Sequence, residues 1–414
     1  EEAKYLADSK GTQYFETSAK APDVEELFTN IVIPPPPPTK PETVAHEKIV
    51  EAFIEMDKDG DGKISVGELQ EATGMTTEEA VDLMNQIDTN NDGELSFEEL
   101  KAAVEVPAQE LDGKALAATI KEEVATGSSK LSSTPCLMVV AVGDLSPAQE
   151  SYKSVQTKAA EKCGIDVRHV ELPHSASTAE IVHFIQLLGD DRAVDAILVA
   201  LPLPSHVDSP AVLAAIPASK DVDGASPSSQ ADLNPQVALE VASAQGRPHF
   251  AACTALACMA LLQAVPDLAL RGSTVAVVGA TGAVGFPLSL LLLQAGATVV
   301  SCHVDTRDPA KFCRDCDVVV TCVGKVGLVK GDWVKPGAVV IDVGINAGPD
   351  GGIVGDVAFD EVVMALGAAG HITPVPGGVG PVTTAILMRQ TLRAAIFHRI
   401  QELSNLARMS EDME

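Results

Sequence analysis

Residues 57–68 read Asp-Lys-Asp-Gly-Asp-Gly-Lys-Ile-Ser-Val-Gly-Glu, with side-chain oxygens on Asp57, Asp59, Asp61, Ser65 and Glu68. These fall at the first, third, fifth, ninth and last places of a twelve-residue loop, and Gly62 at the sixth permits the sharp turn that would let them converge. The backbone carbonyl of Lys63 would fill the seventh place. About thirty residues on, Asp88, Asn90, Asp92, Gly93, Glu94, Ser96 and Glu99 repeat the pattern, Glu94 taking the carbonyl place. Hard oxygen donors at this spacing point to calcium. Ile64 and Leu95 stand at the eighth place of each loop, where they can pair in a short strand. The alternative, decayed loops that merely hold a helical fold, is disfavoured because both copies keep every side-chain ligand position.

A second chemical pattern is Gly279-Ala-Thr281-Gly282-Ala-Val-Gly285, which follows the apolar run Thr274–Val278 and opens an apolar stretch. Glycines there let the backbone approach a pyrophosphate, and a helix N-terminus attracts its charge. Asp305, 26 residues after Gly279, is spaced to accept ribose hydroxyls, which would favour NAD. Cys313 and Cys316 form a lone C-x-x-C with no second pair to complete a zinc site, so they are read as structural. His303 and His371 lack partner ligands at metal spacing and are read as satisfying local hydrogen bonds. Trp333 is read as packing.

The elements that position these groups follow from composition and rhythm. The 414 residues carry a net charge of −29 and are 46% hydrophobic. Residues 1–107 hold 25 acidic against 8 basic side chains, so calcium is a natural partner and nucleic acid is not. No apolar run reaches the ~18 residues of a membrane span. The first residues lack the pattern of a signal peptide. Eight cysteines in a chain this long suggest reduced thiols, hence a reducing intracellular compartment, cytoplasm or organelle matrix. Residues 1–33 read as a strand and helix, and 34–42 as a proline-rich, extended linker. Residues 43–105 are acidic with helical periodicity. From residue 108 onward, apolar runs at Cys136–Val142, Ala196–Leu201, Thr274–Val278, Asp317–Val323 and Val339–Val343 alternate with helical stretches. That rhythm predicts an α/β fold with parallel sheet.

Three resemblances sharpen this reading. The paired loops resemble the EF-hand family over residues 44–105. Glu16-Thr-Ser18-Ala-Lys20, followed by Val24-Glu-Glu-Leu27-Phe28, resembles the C-terminal part of Rab-type small GTPases, although no phosphate-cradling loop precedes it. The third rests on Leu270-Arg-Gly272, the glycine loop, Val323-Gly324-Lys325, Asp342-Val-Gly344-Ile-Asn346, Gly355-Asp356-Val357 and Ile372-Thr-Pro-Val-Pro376-Gly-Gly378-Val-Gly380-Pro381. Residues 108–398 thereby resemble the methylenetetrahydrofolate dehydrogenase/cyclohydrolase family. The resemblance implies a two-domain fold, a folate-type domain at 108–250 closed by a helix at 382–400, and a Rossmann-type domain at 251–381. It implies binding of NAD or NADP and of a tetrahydrofolate derivative, with homodimers or other protein assembly following family habit. Cofactor contacts would fall on Gly279, Thr281, Gly282, Gly285, Asp305, Gly324, Gly344, Gly378, Gly380 and Pro381.

In the family a tyrosine stacks on the folate, a lysine four residues on handles protons, a glutamine tunes that lysine, and an aspartate fixes the pterin. Tyr152 and Asp223, the latter within Lys220-Asp-Val-Asp-Gly224, keep two of these roles. Gln156 stands at the lysine position and Ala200 at the glutamine position, while Lys158 would point the other way along a helix. Ala280 removes an arginine from the phosphate loop, weakening any NADP preference. Ala252, Ala255 and Ala257 replace rigid turn residues with helix formers, which should alter the cleft wall. Gln156 cannot carry a proton near neutral pH, so cyclohydrolase activity is expected to be lost. Together the losses point to a calcium-binding protein whose degenerate folate domain serves as a non-catalytic or structural subunit. The alternative is an active NAD(P)-dependent dehydrogenase without cyclohydrolase activity.

Overall fold

The computed structural model describes residues 53–104, 108–233, 248–348 and 351–411, apart from residues 74, 89 and 91. The GTPase-like stretch, the proline-rich linker and the start of the acidic region lie outside them.

In the acidic region, strands β1 (Lys63–Ser65) and β2 (Glu94–Ser96) pair antiparallel with Ile64 opposite Leu95, as the loop spacing predicts. Both side chains are fully buried. Helices α1 (Val66–Thr73), α2 (Thr77–Ile87) and α3 (Phe97–Val104) flank the pair. A small core of Phe53, Leu69, Ala80, Met84 and Leu100 closes around it.

From residue 108 onward two parallel sheets form. Helix α4 (Gly113–Ser128) follows the short edge strand β3 (Gln109–Glu110). Strand β4 (Cys136–Val142), helix α5 (Pro147–Cys163), strand β5 (Asp166–Leu172), helix α6 (Thr178–Asp190) and strand β6 (Ala196–Val199) then build a three-stranded sheet ordered β5-β4-β6. Helix α7 (Cys253–Gln263) leads into strand β7 (Thr274–Val278), helix α8 (Gly285–Gln294) and strands β8 (Thr298–Cys302), β9 (Val318–Thr321) and β10 (Val339–Asp342). A hairpin of β11 (Asn346–Ala347) and β12 (Ile353–Val354), helix α9 (Phe359–Leu366) and strand β13 (His371–Ile372) follow. The 33-residue helix α10 (Val379–Glu411) ends the described chain.

The larger sheet is ordered β3-β13-β10-β9-β7-β8, and every pairing in it is parallel. The order of connection reverses between β7 and β9, which makes that gap, at the carboxyl ends of the strands, the place where such sheets receive ligands. The same reversal occurs in the smaller sheet between β4 and β6. Apolar runs buried on both faces explain why β4, β7, β9 and β10 read as unbroken Val/Ile/Leu/Ala stretches. One core cluster, including Leu137, Leu198, Leu261, Leu288, Ile341 and Ile386, joins elements of both sheets to α10. Trp333 packs in a second cluster. Among the described residues no helix is long and apolar enough to cross a membrane.

Candidate active site and calcium loops

Helix α5 carries the first site residues. Ser146 caps it by accepting from the Gln149 N–H while the Gln149 side chain accepts from Ser146 N, Pro147 opens the first turn, and Gly164 ends it in the left-handed region. That frame puts Tyr152 and Gln156 one turn apart on the same face. Gln156 is 1% exposed, whereas Lys158 is exposed on the opposite side, as its spacing predicts. Tyr152 keeps 40% of its surface open, so its ring is free to meet a ligand. Its hydroxyl sits lower, beside Gln156, Thr384, Asp223 and Cys253, and desolvation with the nearby acidic groups pushes the phenol above its usual range. Gln156 Nε2 is wholly buried there, facing the Tyr152 hydroxyl and with no well-aligned acceptor among the described residues.

Asp223 follows from a loop pinned at several points. Asp221 accepts from the Ala225 and Ser226 N–H groups at 3.1 and 2.8 Å. Lys220 donates to the carbonyls of Leu188 and Asp191 at 3.2 and 2.7 Å, so this lysine caps the end of α6 and is not available for proton transfer. Asp223 Oδ1 accepts from Cys253 N at 3.1 Å. Desolvation outweighs that bond and raises the carboxyl to about 6. Gln390 of α10 donates to the carbonyls of Val222 and Ala251, at 2.6 and 2.8 Å, tying the Asp223 loop to the start of α7. Burial raises the Cys253 thiol well above its usual value, which marks it as structural. Gln390, Thr384 and Cys253 were not singled out as site residues by sequence reasoning.

Ala200 donates its N–H to the Val140 carbonyl at 2.8 Å just past β6, at the ligand edge of the smaller sheet. The alanines at the head of α7 behave differently from expectation. Ala255 and Ala257 are fully buried in the core, so they do not form the cleft wall. Only Ala252, half-buried and without a side-chain cap, stands at the helix start.

On the second sheet the glycine loop leaves β7 and enters α8. A Cβ on Gly279 would lie 2.6 Å from the Cys322 carbonyl, and one on Gly285 would lie 2.2 Å from the Gly279 carbonyl, so both closures demand glycine. Thr281 and Gly282 are exposed at the crest, and α8 starts with no side-chain cap. An uncapped helix start beneath an open crest fits the pyrophosphate of a dinucleotide. Asp305 is 86% exposed beside His303, whose Nδ1 accepts from the Asp305 N–H at 3.2 Å. His371 is buried and its ring bonds the backbone of Ala369 two residues away, the local satisfaction expected of it. Cys313 and Cys316 are buried in the core, consistent with a structural role. Gly378 is packed against Thr373, while Gly380 has open space around it and Pro381 follows in the first turn of α10.

The acidic loops share one hydrogen-bond plan. Asp57 accepts from the Gly60 and Gly62 N–H groups at 2.8 and 2.9 Å, and Asp88 accepts from Gly93 N at 2.8 Å. Glu68 accepts from Ser65 Oγ at 2.7 Å and Glu99 from Ser96 Oγ at 2.7 Å. Backbone and side-chain bonds from Ser65 hold the Glu68 carboxyl down to about 2. One carboxylate oxygen from each of Asp57, Asp59 and Asp61 lies within 4.8 Å of the others, a donor set that fits a hard divalent cation. The side chains of Lys63 and Glu94 pair with each other at 3.1 Å, which leaves their carbonyls for the ligand role.

Two parallel sheets, each with a ligand edge at its switch point, joined by one long helix, define a two-domain α/β protein with a Rossmann-type second domain. Residues 252–399 match the NAD(P)-binding domain of tetrahydrofolate dehydrogenase/cyclohydrolase and residues 111–223 its catalytic domain. The chain belongs to that family. Residues 46–105 match an EF-hand domain pair. The chain is 46% identical to the bifunctional protein FolD of Acidiphilium cryptum over 292 residues, which is 70% of this chain and 99% of that one. The crystal structure of the bifunctional FolD enzyme of Campylobacter jejuni is similar with a TM-score of 0.64 and 40% identity, covering 70% of this chain and 98% of that one. The Trypanosoma brucei enzyme, solved with NADP and an inhibitor, gives a TM-score of 0.63 at 35% identity, covering 70% and 97%.

Proposed function

We propose that this chain is an NAD(P)-linked 5,10-methylenetetrahydrofolate dehydrogenase that has lost the cyclohydrolase half of the family's chemistry and carries a calcium-binding module. The observation that carries this is Gln156: a buried amide one turn from Tyr152, facing its hydroxyl and without a well-aligned acceptor among the described residues. Such a group will donate to a bound folate and will not exchange a proton near neutral pH. Tyr152 offers a ring face for stacking and Asp223 a carboxylate for the pterin. Asp223 is half-ionised near pH 6, so at neutral pH it accepts hydrogen bonds. When bound, the nicotinamide supplies the hydride acceptor. Gly279, Thr281, Gly282 and Gly285 would hold the pyrophosphate, Gly324, Gly344, Gly378 and Gly380–Pro381 would line the remainder of the cleft, and Asp305 would meet the ribose. Hydride transfer needs mainly positioning, which these residues retain. Opening of the methenyl product by water needs a proton carrier, which Gln156 is not.

The test follows nicotinamide absorbance with methylenetetrahydrofolate and either NAD or NADP, with and without calcium. It also follows loss of the methenyl chromophore when that product is supplied directly. Turnover in the first assay and only background hydrolysis in the second are expected. No turnover, with both ligands still raising the melting temperature, would instead support a non-catalytic subunit. That second reading is favoured by the joint replacement at Gln156, Ala200 and Ala280. Calorimetry should show calcium filling both loops, and Glu68→Gln should remove the first site while leaving the second.

A further inference from the structure

Five donors converge on Asp356, a fully buried residue with no place among the ligand contacts proposed above. Val323 N and Gly324 N donate to its Oδ2 at 2.7 and 3.0 Å, and Lys325 N donates to Oδ1 at 2.8 Å. Thr321 Oγ1 adds a bond at 3.2 Å and Asn346 Nδ2 one at 2.9 Å. A Cβ on Gly344 would lie 2.4 Å from Asp356 Oδ1, so the turn after β10 also rests on this carboxylate. Asp356 is itself placed by a second acid, donating its N–H to Asp342 Oδ1 at 3.0 Å.

The segment so held is exposed on its far side. Val323 and Val326 are 43% and 55% exposed, and Ile345, beside Gly344, is 70% exposed. A buried carboxylate chelating three successive N–H groups costs desolvation, and here it supports a turn that contributes little to the core. That turn follows β9 at the switch point, and its Cys322 carbonyl lies against Gly279 of the phosphate loop. We infer that Asp356 is a positioning residue for dinucleotide binding, fixing the turns of Gly324 and Gly344 as one wall of the nucleotide cleft without touching the ligand. This rests on the NAD(P)-binding reading above.

The experiment compares the full-length protein with Asp356→Asn, whose amide would turn donors toward donors. Amide hydrogen exchange in ligand-free protein should accelerate at residues 323–325 while β4 and β7 stay protected. Calorimetry should show NAD or NADP binding weakened by about 10–100-fold, with tetrahydrofolate binding unchanged. Faster exchange with unaltered dinucleotide affinity overturns the inference, as does an equal loss of folate affinity, which would mark a general structural role. Wild-type protein that binds folate but neither dinucleotide overturns the functional reading, and the inference with it. Should Asp356→Asn fail to fold, Asn346→Ala removes a single donor and is expected to give a weaker loss, again confined to the dinucleotide.

Discussion

The two ligand edges of the α/β region have fared differently. At the edge of the β5-β4-β6 sheet the scaffold is in place, yet Gln156 and Ala200 stand where a proton-handling lysine and the glutamine that tunes it are expected. Lys158 is exposed on the far side of its helix, and Lys220 is committed to capping α6. At the edge of the β7–β9 switch point the loops are held by buried acids with full sets of donors, and Ala280 is the departure. If Gln156 stands in place of a lysine, as proposed, the contrast teaches that a fold can shed a general acid–base group cheaply, because one long polar side chain replaces another. Shedding Asp342 or Asp356 would strand several buried N–H groups, each costing about 1–3 kcal/mol.

The largest test of this contrast is Gln156→Lys. If the folate edge lacks only its proton carrier, methenyl hydrolysis should rise by about 100–10,000-fold over the parent. No rise would mean that Ala200 must be replaced as well. Next is Ala280→Arg, which should favour NADP over NAD by about tenfold in relative affinity by supplying a charge-assisted contact to the 2′-phosphate. An unchanged ratio would show that the dinucleotide edge selects its cofactor elsewhere.

The smallest effect is in pH dependence. Folate affinity should weaken as pH falls through about 6, when Asp223 takes up a proton, and Asp223→Asn should flatten that profile. The stability effect has the opposite sense. An acid whose folded-state pKa lies above its unfolded value near 4 opposes folding once ionised, so its cost is absent at low pH and grows as pH rises through about 6. Asp223→Asn should therefore raise the melting temperature at pH 8, by a gain of at most about 3 kcal/mol, and leave it unchanged at pH 4.

Much of this was legible in the sequence where one residue's neighbours lie close by in the chain. The calcium loops, the Cys136–Val142 and Thr274–Val278 strands and the glycine loop all fall as their local patterns predict. Strand ends were less clear: the run from Ala196 stops at Val199, ahead of prolines that cannot donate to a ladder. The last helix begins at Val379 and runs to Glu411, beyond the predicted 382–400. Gln390 and Thr384 carry no periodic or motif signal, and Cys253 stands in the altered block at 252–257 without a sign of its partner; their neighbours at residues 152, 222 and 223 are brought near only by tertiary packing. The burial of Ala255 and Ala257 was hidden for the same reason.

The buried amide of Gln156 also has a genetic meaning. Glutamine and lysine codons differ by a single base, whereas alanine and glutamine codons differ by two. A pocket that still holds a long polar side chain at position 156, within a helix whose caps are intact, is therefore one point mutation from a lysine. If both positions are losses, as proposed, position 200 is the further from reversal.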